Sequence, residues 1–272
     1  MNKDEKLGDL LREMGKVAIA FSGGVASSFL LKRAEEELGK ENVLAVIVTS
    51  ELYPQKDFEG AVRLAKDLGV LVQRVSMREL DDDHIVQNTP QSWYYSKKML
   101  YNAIKDTADA FHITHISDGM IKDDEDDFRP GSRARAAAGV RSLLQESGWY
   151  KREIREASRE RELPVWDKPG SGSLASRIPY GTPLSLGKIE QVDKAERFIR
   201  QLGFKIVRVR HHGEVARIEV RPVEILSLLQ QKDQVLMKLR SLGFAYISID
   251  LEGYRTGSMN EVLEETEPMH VG

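Results

Sequence analysis

Through the first half of the chain, short apolar runs rich in β-branched residues alternate with amphipathic stretches, a pattern that predicts βα units repeated around a parallel sheet. Val17 to Phe21 reads as the first strand and Ser27 to Leu38 as the helix after it, with Phe29, Leu30, Leu31, Ala34 and Leu38 covering one face. Asn42 to Thr49 predicts a second strand, Gln55 to Leu68 a second helix, and Val70 to Val75 a third strand. His112 to Ser117 is less apolar, but it runs into an Asp-Gly turn at Asp118 and Gly119 and is read as the fourth strand. Before it lie a polar stretch, Asp81 to Ser92, and a further helix, Trp93 to Ala108.

The segment from Lys168 to Thr182 holds KPGSGS, Pro179 and Gly181 and is the richest in turn residues, so the expected division falls there, into residues 1–170 and 171–272. Beyond it, Leu186 to Leu202 is helical, Lys205 to Arg210 and Val215 to Val220 alternate as strands around a His-Gly turn, Pro222 to Leu242 is helical, and Ala245 to Leu251 is a strand. The expected fold is α/β, a parallel sheet flanked by helices, followed by a small α+β C-terminal unit. Glu261 to Gly272 reads as a fraying acidic tail.

Composition narrows the partners. Of the 272 residues 41% are hydrophobic, enough for a sizeable core, and a net charge of −3 with mixed signs advertises neither nucleic-acid nor membrane binding. A small-molecule partner is favoured. The opening MNKDEKLGDLLR does not resemble a secretory signal and no apolar stretch is long enough to cross a bilayer, so a cytoplasmic location is expected. There is no cysteine, which excludes disulfides, thiolate metal sites, cysteine-ligated iron–sulfur clusters and a cysteine nucleophile. His211 and His212 lack the spacing of a zinc site.

The sharpest motif is SGGVASS, Ser22 to Ser28, between the first strand and the first helix. A Gly pair there lets the backbone amides turn inward, and the following helix N-terminus adds partial positive charge, so the loop suits phosphate oxygens. It contains no lysine and fits neither the Walker nor the dinucleotide pattern. The plain alternative is a Ser-Gly-Gly turn that caps a helix.

On these residues the chain resembles the PP-loop pyrophosphatase superfamily, which carries SGGxDS after the first strand and splits ATP into AMP and pyrophosphate while adenylating a substrate. Ala26 stands where that motif has Asp. A carboxylate there can help hold Mg2+ against the leaving pyrophosphate, and an alanine methyl cannot. SELYPQKDFEGA, NTPQSWYYSKKMLY, DGMIKDDEDDFRPG, GVRSLLQE, SRIPYGTPLS and RVRHHGEVARIEV extend the likeness over nearly the whole chain. In this the chain resembles the LarE-type sulfur transferases that help assemble the nickel-pincer cofactor of lactate racemase.

The resemblance implies a PP-loop nucleotide-binding domain, then a small substrate and oligomerisation domain, in a homohexamer. ATP with Mg2+ would adenylate a carboxylate of a pyridinium mononucleotide, and sulfur would then make the thiocarboxylate. ATP would meet Ser22, Gly23, Gly24, Ser27, Ser28, Ser50, Asp124 and Arg129. The acidic run Asp123 to Asp127 is either a solvated loop or a counter-cation site near the triphosphate, with Asp124 and Glu125 as candidates; Arg129 and Arg133 suit phosphate. Trp93, beside Tyr94 and Tyr95, is either core packing or a ring face for the cationic pyridinium. Ser176, Arg177 and Arg208 would hold the substrate phosphate, against a reading as structural salt bridges. The family also places carboxylates near the transfer site or a metal, here Glu196 and Glu219, with Glu125 as a third metal candidate.

One form of the family donates sulfur from a cysteine, and alignment on Lys168 and the Ser176-Arg177 pair puts Gly172 at that position. Ala137 is a further departure, where an acidic residue often precedes GVRS. Either sulfur comes from an outside donor such as sulfide, a persulfide or coenzyme A, or this is an altered member that binds AMP or ATP without completing transfer.

Overall fold

The computed structural model describes residues 2–125, 131–255 and 257–260. Their contacts divide the chain into two units, Met1–Ile85 with Pro90–Ser171, and Val86–Thr89 with Gly172–Gly272.

The first unit is built on β1 (Val17–Ala20), β2 (Val43–Thr49), β3 (Leu71–Ser76) and β4 (Ile116–Ser117), in the order β3-β2-β1-β4 with every pair parallel. Parallel neighbours need crossovers, supplied here by α2 (Val25–Leu38) and α3 (Gln55–Asp67), after an opening helix α1 (Lys3–Met14). A short α4 (Asp83–Val86) and the long α5 (Ser92–Ala110) follow, and α6 (Gly131–Ala137), α7 (Leu143–Glu146) and α8 (Lys151–Glu160) complete the unit. Side chains alternate across the strands. Val17, Ile19, Val43, Ala45 and Ile47 join Leu7, Leu11, Phe29, Leu30 and Ile154 on one face, while Ala18, Leu44 and Val46 join Tyr101, Ile104 and Ala108 on the other. With both faces covered, β2 is apolar almost without interruption.

Several boundaries differ from the pattern-based expectation, for local reasons. The chain opens in a helix because Asn2 caps it, its side chain accepting from Asp4 N and Glu5 N while Glu5 bonds back to Asn2 N. The first crossover helix starts at Val25 rather than Ser27, since extended Gly24 is its N-cap. β4 keeps only two residues of the expected six: α5 runs on to Ala110, and the amides of Phe111, His112 and Ile113 close its end on Ala108 and Asp109. The polar stretch before α5 is partly helical, and α6 to α8 fill an interval the pattern left unassigned.

In the second unit β5 (Val207–His212), β6 (Val215–Val220) and β7 (Tyr246–Ile249) form a sheet of order β5-β6-β7, antiparallel then parallel. The hairpin turn lies at Gly213 and Glu214, so His211 and His212 pair within the ladder, and β5 is shifted two residues along from the expected start. Helix α9 (Leu186–Gln201) packs on this sheet through Ala195 and Ile199. The helix expected from Pro222 to Leu242 breaks at Gln231 into α10 (Ile225–Gln230) and α11 (Lys232–Ser241), after a single 3-10 turn at Pro222–Glu224. No helix among the described residues is long and apolar enough to cross a membrane.

Asn88 belongs to this second unit. Its φ is +51°, and its side-chain amide donates to the carbonyls of Ile178 at 3.1 Å, Pro179 at 3.0 Å and Thr182 at 3.1 Å. The backbone adds Gly181 N to Asn88 O at 2.9 Å and Leu184 N to Val86 O at 2.8 Å. One amide, with its two hydrogens shared among three carbonyls, thus ties this turn together. Replacing Asn88 by Ala should lower unfolding free energy by about 1–3 kcal/mol, read as a lower urea midpoint at unchanged m-value.

Candidate functional site

β1 has β2 on one side and β4 on the other, so the chain reverses direction across the sheet between β1 and β4. In open parallel sheets, ligands bind in the crevice that such a reversal leaves beyond the carboxyl ends of the strands. The Ser22–Ser28 loop follows β1, and the Asp118-Gly119 turn follows β4.

Two close approaches shape this corner. Gly23 has φ +68°, and a Cβ built there would lie 2.7 Å from the Ala61 Cβ on α3, so both conformation and space require glycine. At Gly119 an added Cβ would lie 3.0 Å from Ser27 N, which puts the β4 turn against the first turn of α2. That turn is held by Asp118, which accepts from Tyr101 Oη at 2.7 Å, Ser142 Oγ at 2.6 Å and Met120 N at 3.1 Å. Burial and the Asp118 charge push the Tyr101 phenol well above its ordinary value, so it remains a donor.

Gly24 caps α2 without any side-chain bond, and the first amides of a helix have no intrahelical acceptor. Ser27 Oγ donates to Gly24 O at 3.2 Å and lies 3.1 Å from Ser22 Oγ, while Gly24 N reaches Ser22 Oγ at 3.4 Å. Ser22 is exposed. Ser28 is 0% exposed and its hydroxyl has no partner among the described residues, so it lies behind the loop and presents no surface to a ligand. Half-buried Ala26 packs against the sheet core and supplies no oxygen.

Lys168 also belongs to this corner, although spacing gave no sign of it. From 145 residues away its Nζ donates to Gly23 O at 3.0 Å, and it pairs with Asp57 Oδ1 at 3.0 Å. Asp57 and Ala61 lie one helical turn apart on α3, so one helix face carries both contacts to Gly23 and its lysine.

The other nominated residues of the first unit have local partners. Ser50 donates to the carboxylate of Glu79, which also accepts from Ser96. Burial pushes the Glu79 carboxyl up. Asp124 accepts from Ile121 N at 3.0 Å and closes a single turn, Glu125 pairs with Lys122 at 2.7 Å, and Asp123 accepts from Lys151 N at 2.8 Å. Asp126, Asp127 and Arg129 lie outside the described residues. Trp93 is half-buried on the first turn of α5, where Tyr95 stacks on His84 with ring centroids 4.3 Å apart.

In the second unit the arginines nominated for phosphate are buried. Arg177 grips Glu196 through Nε at 2.7 Å and Nη2 at 3.2 Å, and its Nη1 reaches Ser176 Oγ at 2.7 Å and Ser173 O at 3.1 Å. Glu196 also accepts from Arg200 at 2.5 Å and from Val209 N at 3.1 Å. Arg210 forks onto Glu219 at 2.9 and 2.7 Å and donates to Ser176 O at 2.7 Å, while Arg217 bridges Glu219 at 3.2 Å and Asp250 at 2.9 Å. Arg208 donates to Val207 O at 2.8 Å and lies over the Tyr254 ring at 5.1 Å. Burial, and then the neighbouring Arg177 charge, pull its guanidinium down to about 10.

Gly172 stands at the edge of this cluster. Its φ is +62°, and an added Cβ would meet a single neighbour within 4 Å, Arg177 Nη1 at 3.7 Å. The metal reading of Glu196 and Glu219 is not supported by their surroundings, since each carboxylate is neutralised by two guanidinium groups. Glu125 likewise has its lysine, and no group of three or more potential metal ligands gathers among the described residues.

Burial opposes ionisation of Glu196, but Arg177, Arg208 and Arg200 together overcome it and hold the carboxyl below its usual 4.5. A folded value below the unfolded one means that its stabilisation is present above that range and is lost as the pH falls through the folded value. Glu196→Gln should therefore cost about 3–5 kcal/mol at neutral pH. Its deficit against the wild type should shrink as urea midpoints are measured at pH values falling from 4.5.

A family model described as NAD synthase matches residues 6–103, the stretch that holds β1 to β3 and the loop. The pyridinium-3,5-bisthiocarboxylic acid mononucleotide synthase of Lactiplantibacillus plantarum is 46% identical over 94% of this chain and 93% of its own. An uncharacterised protein of Synechocystis sp. is 34% identical over 96% of this chain and 98% of its own. The NH(3)-dependent NAD(+) synthetase of Methanopyrus kandleri is 41% identical over 24% of this chain and 25% of its own. With a β1 loop shared with NAD synthases and a likeness to the first relative that runs almost end to end, the chain belongs to the LarE-type family of PP-loop sulfur-transferring enzymes.

Proposed function

We propose that this enzyme adenylates a carboxylate of a pyridinium mononucleotide with ATP and then passes sulfur to it from a donor outside the protein. The observation that carries the reading is the buried pair of Arg177 and Arg208 with Gly172 at its edge. It sits in a chain whose β1 loop also suits polyphosphate.

ATP fits the loop. The first-turn amides of α2 accept negative charge, Ser22 and Ser27 present hydroxyls, and Gly23 keeps the backbone close. Magnesium does not gain a ligand there, because Ala26 has none to give, and no step is assigned to it. In the reading, a substrate carboxylate oxygen attacks the α-phosphorus as the bond to pyrophosphate breaks, and the loop amides stabilise the departing charge. Ser176, Arg177 and Arg208 hold the substrate's own phosphate, and the Trp93 ring face receives the pyridinium. Hydrosulfide then attacks the acyl carbon, the bond from that carbon to the AMP oxygen breaks, and AMP leaves a thiocarboxylate behind. No residue of this chain can donate that sulfur, since it has no cysteine. The family likeness also carries a homohexamer and a cytoplasmic location into the proposal.

Ala26 and Gly172 together favour a second reading, a member that binds AMP or ATP without completing transfer. Incubation with ATP, Mg2+ and pyridinium-3,5-biscarboxylic acid mononucleotide, with and without sulfide, separates the two. The first reading expects substrate-dependent pyrophosphate release and a thiocarboxylate by mass only when sulfide is present. Ala26→Asp should raise pyrophosphate release about tenfold or more. Gly172→Cys should transfer one sulfur without added sulfide, although its left-handed backbone costs about 1–2 kcal/mol. Nucleotide binding with no pyrophosphate from any of these proteins selects the second reading.

A further inference from the structure

A loop that binds polyphosphate through amides alone is short of full positive charge, and Ser22 to Ser28 contains no lysine. The fold brings one to it. Lys168 Nζ lies 3.0 Å from the Gly23 carbonyl oxygen and 3.0 Å from the Asp57 carboxylate. Its backbone is pinned on both sides, Lys168 N donating to Val165 O at 3.0 Å and Lys168 O accepting from Arg155 Nη2 at 3.0 Å. An ammonium carries three N–H donors. Gly23 and Asp57 take two, and no acceptor stands on the third among the described residues. The side chain keeps 25% of its exposure, so solvent and ligands reach it.

We infer that Lys168 is the polyphosphate-binding cation of this loop. It orients Gly23 through the carbonyl and gives its remaining N–H to an oxygen of the pyrophosphate portion of ATP, with Asp57 as the counter-ion until the nucleotide arrives. The assignment rests on the ATP-binding reading above. Asp57 explains why the charge is held in place without ligand, and the third donor explains what it is held for.

The test is calorimetric titration of the full chain with ATP, pyrophosphate and AMP. Lys168→Gln keeps an N–H for Gly23 and removes the charge; Lys168→Arg keeps the charge. Lys168→Gln should weaken ATP and pyrophosphate about tenfold or more and AMP by less than about twofold, and Lys168→Arg should stay within about threefold of wild type for ATP. Asp57→Asn, by releasing the lysine from its counter-ion, should tighten ATP. ATP binding by Lys168→Gln at wild-type strength, or an equal loss for ATP and AMP, would overturn the inference. So would weakened ATP binding in Asp57→Asn, because a lysine that serves only as a tether needs its aspartate. Should Lys168→Gln not fold, the Asp57→Asn titration decides alone. A wild-type chain that binds none of the three ligands refutes the ATP reading itself, a separate result.

Discussion

The first unit depends on how closely the backbone after β1 approaches α3. At Gly23 the chain passes so near Ala61 that a single methyl would not fit, and it does so with a positive φ that other residues avoid. Gly119 repeats the device from the β4 side, pressing its turn against the amide of Ser27. Between them the two glycines fix the first turn of α2 at the point where the strand order reverses, and the first amides of that turn have no intrahelical acceptor. Asp118, Tyr101 and Ser142 support the second glycine through buried hydrogen bonds, so polar groups brace the corner.

The second unit solves a different problem, the burial of several guanidinium groups. Moving an isolated charge into the interior is prohibitive, so Arg177 and Arg210 are each forked onto a carboxylate. Arg208 donates to the Val207 carbonyl and lies over the Tyr254 ring.

Ala26 and Gly172 are two of the positions at which this chain departs from the family pattern. At Ala26 a carboxylate is replaced by a methyl packed toward the core, which removes a cation-holding oxygen and leaves the loop geometry intact. At Gly172 the side chain is missing beside Arg177, in a backbone conformation that glycine adopts without strain. Neither change opens a defect in the fold. Lys168 brings an ammonium to the same loop from elsewhere in the chain.

The alternation of apolar and polar positions by itself determined the α/β class, the strands β1 to β3, the loop between β1 and α2, and the place of the C-terminal sheet, because these rest on local periodicity and on glycines that local conformation demands. It located β4 poorly, since two residues paired against β1 leave almost no periodic trace. The family resemblance, not the alternation, nominated Ser176, Arg177, Arg208, Glu196 and Glu219, one at a time. That the two carboxylates pair with arginines, that Ser28 is enclosed, and that Lys168 reaches Gly23 were decided by tertiary structure alone. The physical reason is range: an ion pair or a close backbone approach joins residues that any distance of chain can separate, whereas periodicity reports only on neighbours a turn or a pleat away.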